Sequence, residues 1–250
     1  MNRRFFVETK IEGQRVSVSG PDAHHLANVI RAKPGDHIIL FDGSGREFVA
    51  EIREISKKSV STQIIKTLGS EHNELATKLT IAVALPKGDR QKVLVEKLVE
   101  LGVHQLVPLN TDRSVVVANE KSVEKLKRRV VEASKQCGRN RLMDISQPLQ
   151  FADLITQPFD DCNKLIGHPH VETKPPCEFQ SDKGCVIGIG PEGGFTNDET
   201  QIAIQSGWQT IAFGKNILRV ETAAVAFASI FGIGRDFLSK LNSRDISDDS

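Results

Sequence analysis

The sequence predicts an α/β protein in two parts: a small β-rich module, then a larger domain around a mostly parallel sheet. Three observations carry this. The first 70 positions hold short strand-like runs with one helical stretch among them. A polar segment, GSEHNELATK (69–78), follows. Beyond it, continuous apolar runs alternate with amphipathic ones, the pattern of strands covered by helices on both faces. The expected boundaries are 1–70 for a small barrel, 71–78 for a linker, 79–240 for the main domain and 241–250 for a flexible tail.

In the first part, RRFFVET (3–9), RVSVS (15–19), HIILF (37–41), EFVAEIREI (47–55) and SVSTQIIKTL (59–68) read as strands. HHLANVIRA (24–32) places Leu26, Val29 and Ile30 at helical spacing, with Asp22 as a cap. Lys33-Pro34-Gly35-Asp36 and Asp42-Gly43-Ser44-Gly45 are turn signals. In the second part, LTIAVAL (79–85) reads as a strand buried on both faces. DRQKVLVEKLVELG (89–102) is an amphipathic helix stopped by Gly102. HQLVPL (104–109) is the next strand, and a basic helix runs from about 119 to 137. MDISQPL (143–149), NKLIGH (163–168), CVIGIG (185–190) and QTIAFG (209–214) are further strands, with a helix near 151–157. TNDETQIAIQSG (196–207) is a helix opened by a Thr196/Glu199 capping box, and ETAAVAFASIFGIGRDFL (221–238) is a small-residue helix.

Composition narrows the functional classes. Hydrophobic residues make up 39% and charged residues 26%, as in soluble globular proteins. No apolar run approaches the length of a membrane span, and MNRRFFVETKIEGQ lacks the apolar stretch of a signal peptide. Four cysteines without C-x-x-C spacing argue against a zinc ribbon or a disulfide framework; no metal site and a cytoplasmic location are expected. The net charge of +1 hides an asymmetry: residues 1–141 carry 25 basic and 17 acidic side chains, residues 142–250 carry 8 and 15. Such a split suits a chain that holds a polyanion with its front half.

Two strand-to-helix turns attract attention. Gly188-x-Gly190-x-x-Gly193 matches a dinucleotide-binding fingerprint, but its strand comes late in the chain. No acid for a ribose hydroxyl stands about 20 residues on, between Trp208 and Phe213. Glu192 inside the turn would also oppose a pyrophosphate. The loop better suits a compact, uncharged or cationic ligand: Gly190, Gly193 and Gly194 permit close backbone approach, Pro191 stiffens the turn and Glu192 can face a positive centre. The second turn, FGKNILRVETA (213–223), also leads from a strand end into a helix, where open α/β sheets form their ligand crevice.

The pair IGPEGGFT (189–196) and FGKNILRVETA (213–223) resembles the SPOUT methyltransferases, and within them the ribosomal RNA small subunit methyltransferase E family. HHLANVIRAKPGD (24–36), FDGSG (41–45), VEKLVELGV (95–103), DRS (112–114) and QCGR (136–139) extend the resemblance over nearly the whole chain. Departures are Phe213 in place of a leucine and Lys135 where the family commonly has Glu. The resemblance implies an N-terminal PUA-like RNA-binding barrel and a C-terminal α/β-knot domain with a deep trefoil knot. It implies S-adenosyl-L-methionine as cofactor, a homodimer, and methylation of a uridine N3 in 16S rRNA of the small ribosomal subunit.

Carried onto this sequence, the cofactor cradle comprises Leu165, Gly167, Ile189, Gly190, Pro191, Glu192, Gly193, Phe213, Gly214, Ile217, Leu218, Arg219, Thr222 and Ala223. Uridine N3 must lose a proton, and an arginine beside the uracil would stabilise the resulting anion. Arg139 and Arg219 are the catalytic candidates; no histidine stands out as a base. Arg3, Arg4, Arg31, Lys33, Lys87, Arg90 and Arg113 are candidates for phosphate contacts. A ribose 2′-O-methyltransferase and a catalytically silent RNA-binding module remain the alternatives.

Overall fold

The structure is a computed structural model that describes residues 4–56, 58–69, 74–169, 179, 182–212 and 216–234. Arg3, Phe213, Gly214, the predicted tail 241–250 and the last residues of the helix expected to 238 lie outside the described residues. The chain divides into two compact units. One is Met1–Glu74 joined by Val131–Leu142; the other is Leu75–Val130 with Met143–Ser250.

The first unit holds β1 (Arg4–Phe6), β2 (Arg15–Ser19), β3 (His37–Phe41), β4 (Arg46–Ile55) and β5 (Ser59–Gly69) in one sheet of order β1-β3-β4-β5-β2. β1 runs parallel to β3, and the other pairs are antiparallel. Strand alternation does the sorting: along β4, Phe48, Ala50 and Ile52 turn inward. They meet Phe5, Val18, Leu26, Ile38, Leu40 and Val60 in a single core. The helix expected at 24–32 starts earlier. α1 (Gly20–His24) carries Pro21 in its first turn, where the missing N–H costs nothing, and continues as a π-helical turn, His25–Val29. His25 stands edge-on to Phe5, a packing role.

Residues 131–142 complete this unit through polar contacts. Arg4 pairs with Glu47 at 2.5 Å, bonds the Asn140 side chain and donates to the Gly138 carbonyl at 3.3 Å. Lys135 reaches Asp22 at 2.9 Å and Glu132 at 3.0 Å, which gives the departure at this position a partner. Burial opposes the Lys135 charge, but hydrogen bonds to these two carboxylates prevail and raise its pKa.

The second unit is a parallel sheet flanked by helices. In chain order it contains β6 (Leu79–Ala84), α2 (Arg90–Glu100), β7 (Gln105–Asn110), α3 (Glu120–Cys137), β8 (Asp144–Ile145), β9 (Leu149–Gln150), α4 (Phe151–Thr156), β10 (Cys162–Gly167), β11 (Gly184–Ile189), α5 (Asn197–Gln205), β12 (Gln209–Ile211) and α6 (Val220–Ala228). α3 spans the division between the units. The strand order is β12-β10-β11-β6-β7-β8, with β9 also on β7. β6, the continuous apolar run, is buried along its whole length. The single strand expected at 143–149 is instead two two-residue strands; Pro148, lacking an N–H, cannot carry a ladder between them. A π-helical turn, Ser229–Gly234, follows α6.

Candidate functional site

A cleft opens at the carboxyl ends of three adjacent strands, β12, β10 and β11. Its walls are Gly167–Pro169 after β10, Ile189–Glu192 and Gly194 after β11, Ile211 and Ala212 at the end of β12, Asn216–Leu218, and Val220, Ala223 and Phe227 of α6. This is where an open parallel sheet places ligands. The walls are chiefly apolar. Glu192 is the charged side chain among the described lining residues, and no lysine or arginine lines the cleft there.

The loop from β11 to α5 is folded tightly against itself. The Gly194 N–H donates to the Pro191 carbonyl at 2.8 Å, and Gly194 takes a positive φ of 67°. A Cβ on Gly190 would lie 3.1 Å from the Phe195 nitrogen and 3.2 Å from the Gly194 carbonyl carbon, so a side chain there would press on the backbone of the turn. Phe195 anchors the loop below, its ring 4.9 Å from that of Phe151. α5 starts with the expected capping box. Thr196 Oγ1 accepts from the Glu199 N–H at 3.1 Å, and Glu199 Oε2 accepts from the Thr196 N–H at 2.7 Å. Glu192 is held from outside by Arg90, 2.8 Å away, which also lies 3.8 Å from Glu221 on α6.

A family model for an RNA methyltransferase domain matches residues 73–232, and one for an RNA methyltransferase PUA domain matches 18–65. The chain is 32% identical over 237 residues to ribosomal RNA small subunit methyltransferase E of Bacillus subtilis (strain 168), covering 88% of this chain and 92% of the relative. The Synechocystis enzyme of that name is 30% identical, over 86% of this chain and 72% of its own. The chain belongs to the ribosomal RNA small subunit methyltransferase E family. A crystal structure of ribosomal RNA small subunit methyltransferase E from Neisseria gonorrhoeae, bound to S-adenosyl methionine, superposes with a TM-score of 0.83 at 29% identity, over 92% of this chain and 96% of that one. The fold is accordingly a PUA-like sheet unit followed by a SPOUT parallel-sheet unit.

In this member of the methyltransferase E family, Gly167, Ile189, Gly190, Pro191, Glu192, Ile217, Leu218 and Ala223 line the cleft as expected from the sequence. Leu165 does not: it is fully buried in β10. Gly193 lies off the cleft, where a Cβ would meet the Arg113 side chain at 3.3 Å. Arg219 and Thr222 are exposed and do not line it; Arg219 is the residue that caps α6. The cleft adds His168, Pro169, Gly194, Ile211, Ala212, Asn216, Val220 and Phe227. The signal for His168 and Pro169 was present: they stand at the end of, and just past, the strand predicted at 163–168.

Several arginines take other roles. Arg139 is 3% exposed, and its Nε and Nη2 both donate to the Glu74 carboxylate, at 2.9 and 2.7 Å. That fork ties Arg139 into the first unit's polar cluster. Arg4 is 7% exposed and paired with Glu47. Arg90 and Arg113 bond the β11–α5 loop instead. Arg31, Lys33 and Lys87 are exposed. Among the described residues no helix is long and apolar enough to cross a membrane, and no cluster of His, Cys, Asp and Glu with metal-binding geometry is found.

Proposed function

We propose that this chain methylates N3 of a uridine in 16S rRNA of the small ribosomal subunit, with S-adenosylmethionine as cofactor. The observation that carries the proposal is the cleft itself, assembled from the two loops that the family motifs occupy. Its chemistry fits the cofactor. Ile189, Ile211, Ile217, Leu218 and Phe227 offer apolar surface to a flat adenine, and Asn216 and His168 offer polar groups to its sugar and amino-acid parts. Glu192 places a carboxylate where a cationic sulfonium is favoured over a diphosphate. When bound, S-adenosylmethionine supplies an activated methyl group.

The Pro191–Gly194 turn and Phe227 would align the cofactor's methyl group for an in-line displacement. Arg219, exposed beside Leu218, is the candidate for stabilising negative charge on the uracil oxygens. Arg31, Lys33 and Lys87 supply phosphate contacts. We further propose that the protein works as a homodimer in the cytoplasm, as the family resemblance implies; light scattering at assay concentration checks the first point.

The deciding experiment incubates the protein with S-adenosylmethionine and small subunits from a strain lacking the modification, then digests the rRNA for nucleoside mass spectrometry. N3-methyluridine is expected. A 2′-O-methylated nucleoside instead, or no methyl transfer, would overturn the proposal.

A further inference from the structure

Arg113 was grouped with the phosphate contacts because of its charge, but the structure gives its guanidinium a different partner. The loop between β7 and α3 is pinned at both ends. Ser114 N–H donates to the Thr111 carbonyl at 3.0 Å, and Thr111 N–H to Ser114 Oγ at 2.9 Å. At the other end, the buried Asn110 side chain accepts from the Ala118 N–H at 2.8 Å and donates to the Ala118 carbonyl at 3.3 Å. From this fixed platform Arg113 Nη1 donates to the Gly193 carbonyl at 2.7 Å and to that of Phe195 at 3.5 Å. The neighbouring Asp112 N–H donates at 3.0 Å to Glu199 Oε1, whose other oxygen closes the capping box of α5. Residues 112–113 therefore grip the β11–α5 loop at Gly193 and Phe195 and the first turn of α5 at Glu199.

A loop with three glycines in five positions has many conformations to lose on binding. We infer that Arg113 is a positioning residue for the cofactor loop: it holds 193–195 so that Gly190–Glu192 and Gly194 stand as a preformed wall of the cleft. The inference rests on the proposed function, in that the loop binds S-adenosylmethionine. Holding a loop in its bound form strengthens binding by removing an ordering cost.

The test is calorimetry with S-adenosylmethionine on the full chain, wild type first. A wild type that does not bind overturns the proposed function, and the inference with it. With a binding wild type, Arg113→Ala should weaken the cofactor about 10- to 100-fold, the scale of losing a charged hydrogen-bond donor. The KM for the cofactor should rise while kcat at saturation stays within about twofold. Arg113→Lys, which keeps one charged donor, should recover part of the affinity. Arg113 is exposed, so its truncation opens no core cavity and the melting temperature should hold. A phosphate contact predicts the opposite pattern: unchanged cofactor affinity, with the salt slope for binding a 16S rRNA fragment reduced by about one. That result overturns the inference.

Discussion

In the proposed cofactor wall, Gly190 leaves little room for a methyl group. Alanine there would bring Cβ to 3.1 Å from the Phe195 nitrogen, and the opposing atoms are backbone, which cannot swing aside. We expect Gly190→Ala to weaken S-adenosylmethionine binding about tenfold or more, matching an overpacking strain of roughly 1–3 kcal/mol. Calorimetry reading an unchanged affinity would remove this turn from the cofactor site. Gly193, drawn from the same motif, meets the Arg113 stem instead, so a substitution there acts through the brace. The motif announced a tight loop; it did not tell which glycine packs against the loop's own backbone and which against Arg113. The arginines teach the same lesson. Arg4, Arg139 and Arg90 read as free cations in sequence, yet their carboxylate partners lie 43, 65 and 102 positions away. Charge type is local information, whereas pairing depends on the fold, and that is why the cleft walls were legible in advance and the roles of these side chains were not.

Among the elements, the β3–β4 turn shows a short motif fully explained by its contacts. Asp42, 4% exposed, accepts from the Ile11 N–H at 2.8 Å and the Ser44 N–H at 2.9 Å. Burial pushes its pKa up, but these hydrogen bonds, with Lys10 nearby, outweigh burial and hold it below the usual carboxylate value. A depressed folded pKa stabilises above the unfolded pKa and is lost as pH falls through the folded one. Asp42→Asn should therefore lower the melting temperature near neutral pH, by about 1–3 kcal/mol of stability, and the gap should shrink below about pH 4. Thermal melts across that range check it; a gap independent of pH would mean the carboxylate charge is irrelevant. The alternating strand β4 and the continuous apolar strand β6 were readable because burial sorts side chains directly. The start of α1 and the break at Pro148 were missed, since proline chemistry there outweighed weak apolar spacing.

The whole molecule departs from a simple order of domains along the chain, because the first unit takes in Val131–Leu142. A fragment ending at Glu74 would leave Glu74 without Arg139, and Arg4 without Asn140 and the Gly138 carbonyl. Charged hydrogen bonds contribute about 1.5–3 kcal/mol each, so losing them removes a large share of the roughly 5–15 kcal/mol that holds a domain. Residues 1–74 alone should show little cooperative unfolding by circular dichroism, and appending 131–142 through a flexible linker should restore it. Full cooperativity in the shorter fragment would show that these contacts are dispensable.

The split first unit also sets a schedule for synthesis. Its amino-terminal strands leave the ribosome long before the segment that completes them, with Leu75–Val130 translated in between. At about 5–20 residues per second, those strands wait roughly 3–14 s for Val131–Leu142 to be made. During that interval the apolar core of the sheet is already complete in the nascent chain, while Arg4, Asp22 and Glu74 still wait for the Gly138 carbonyl, Lys135 and Arg139, so the unit closes through its polar contacts last.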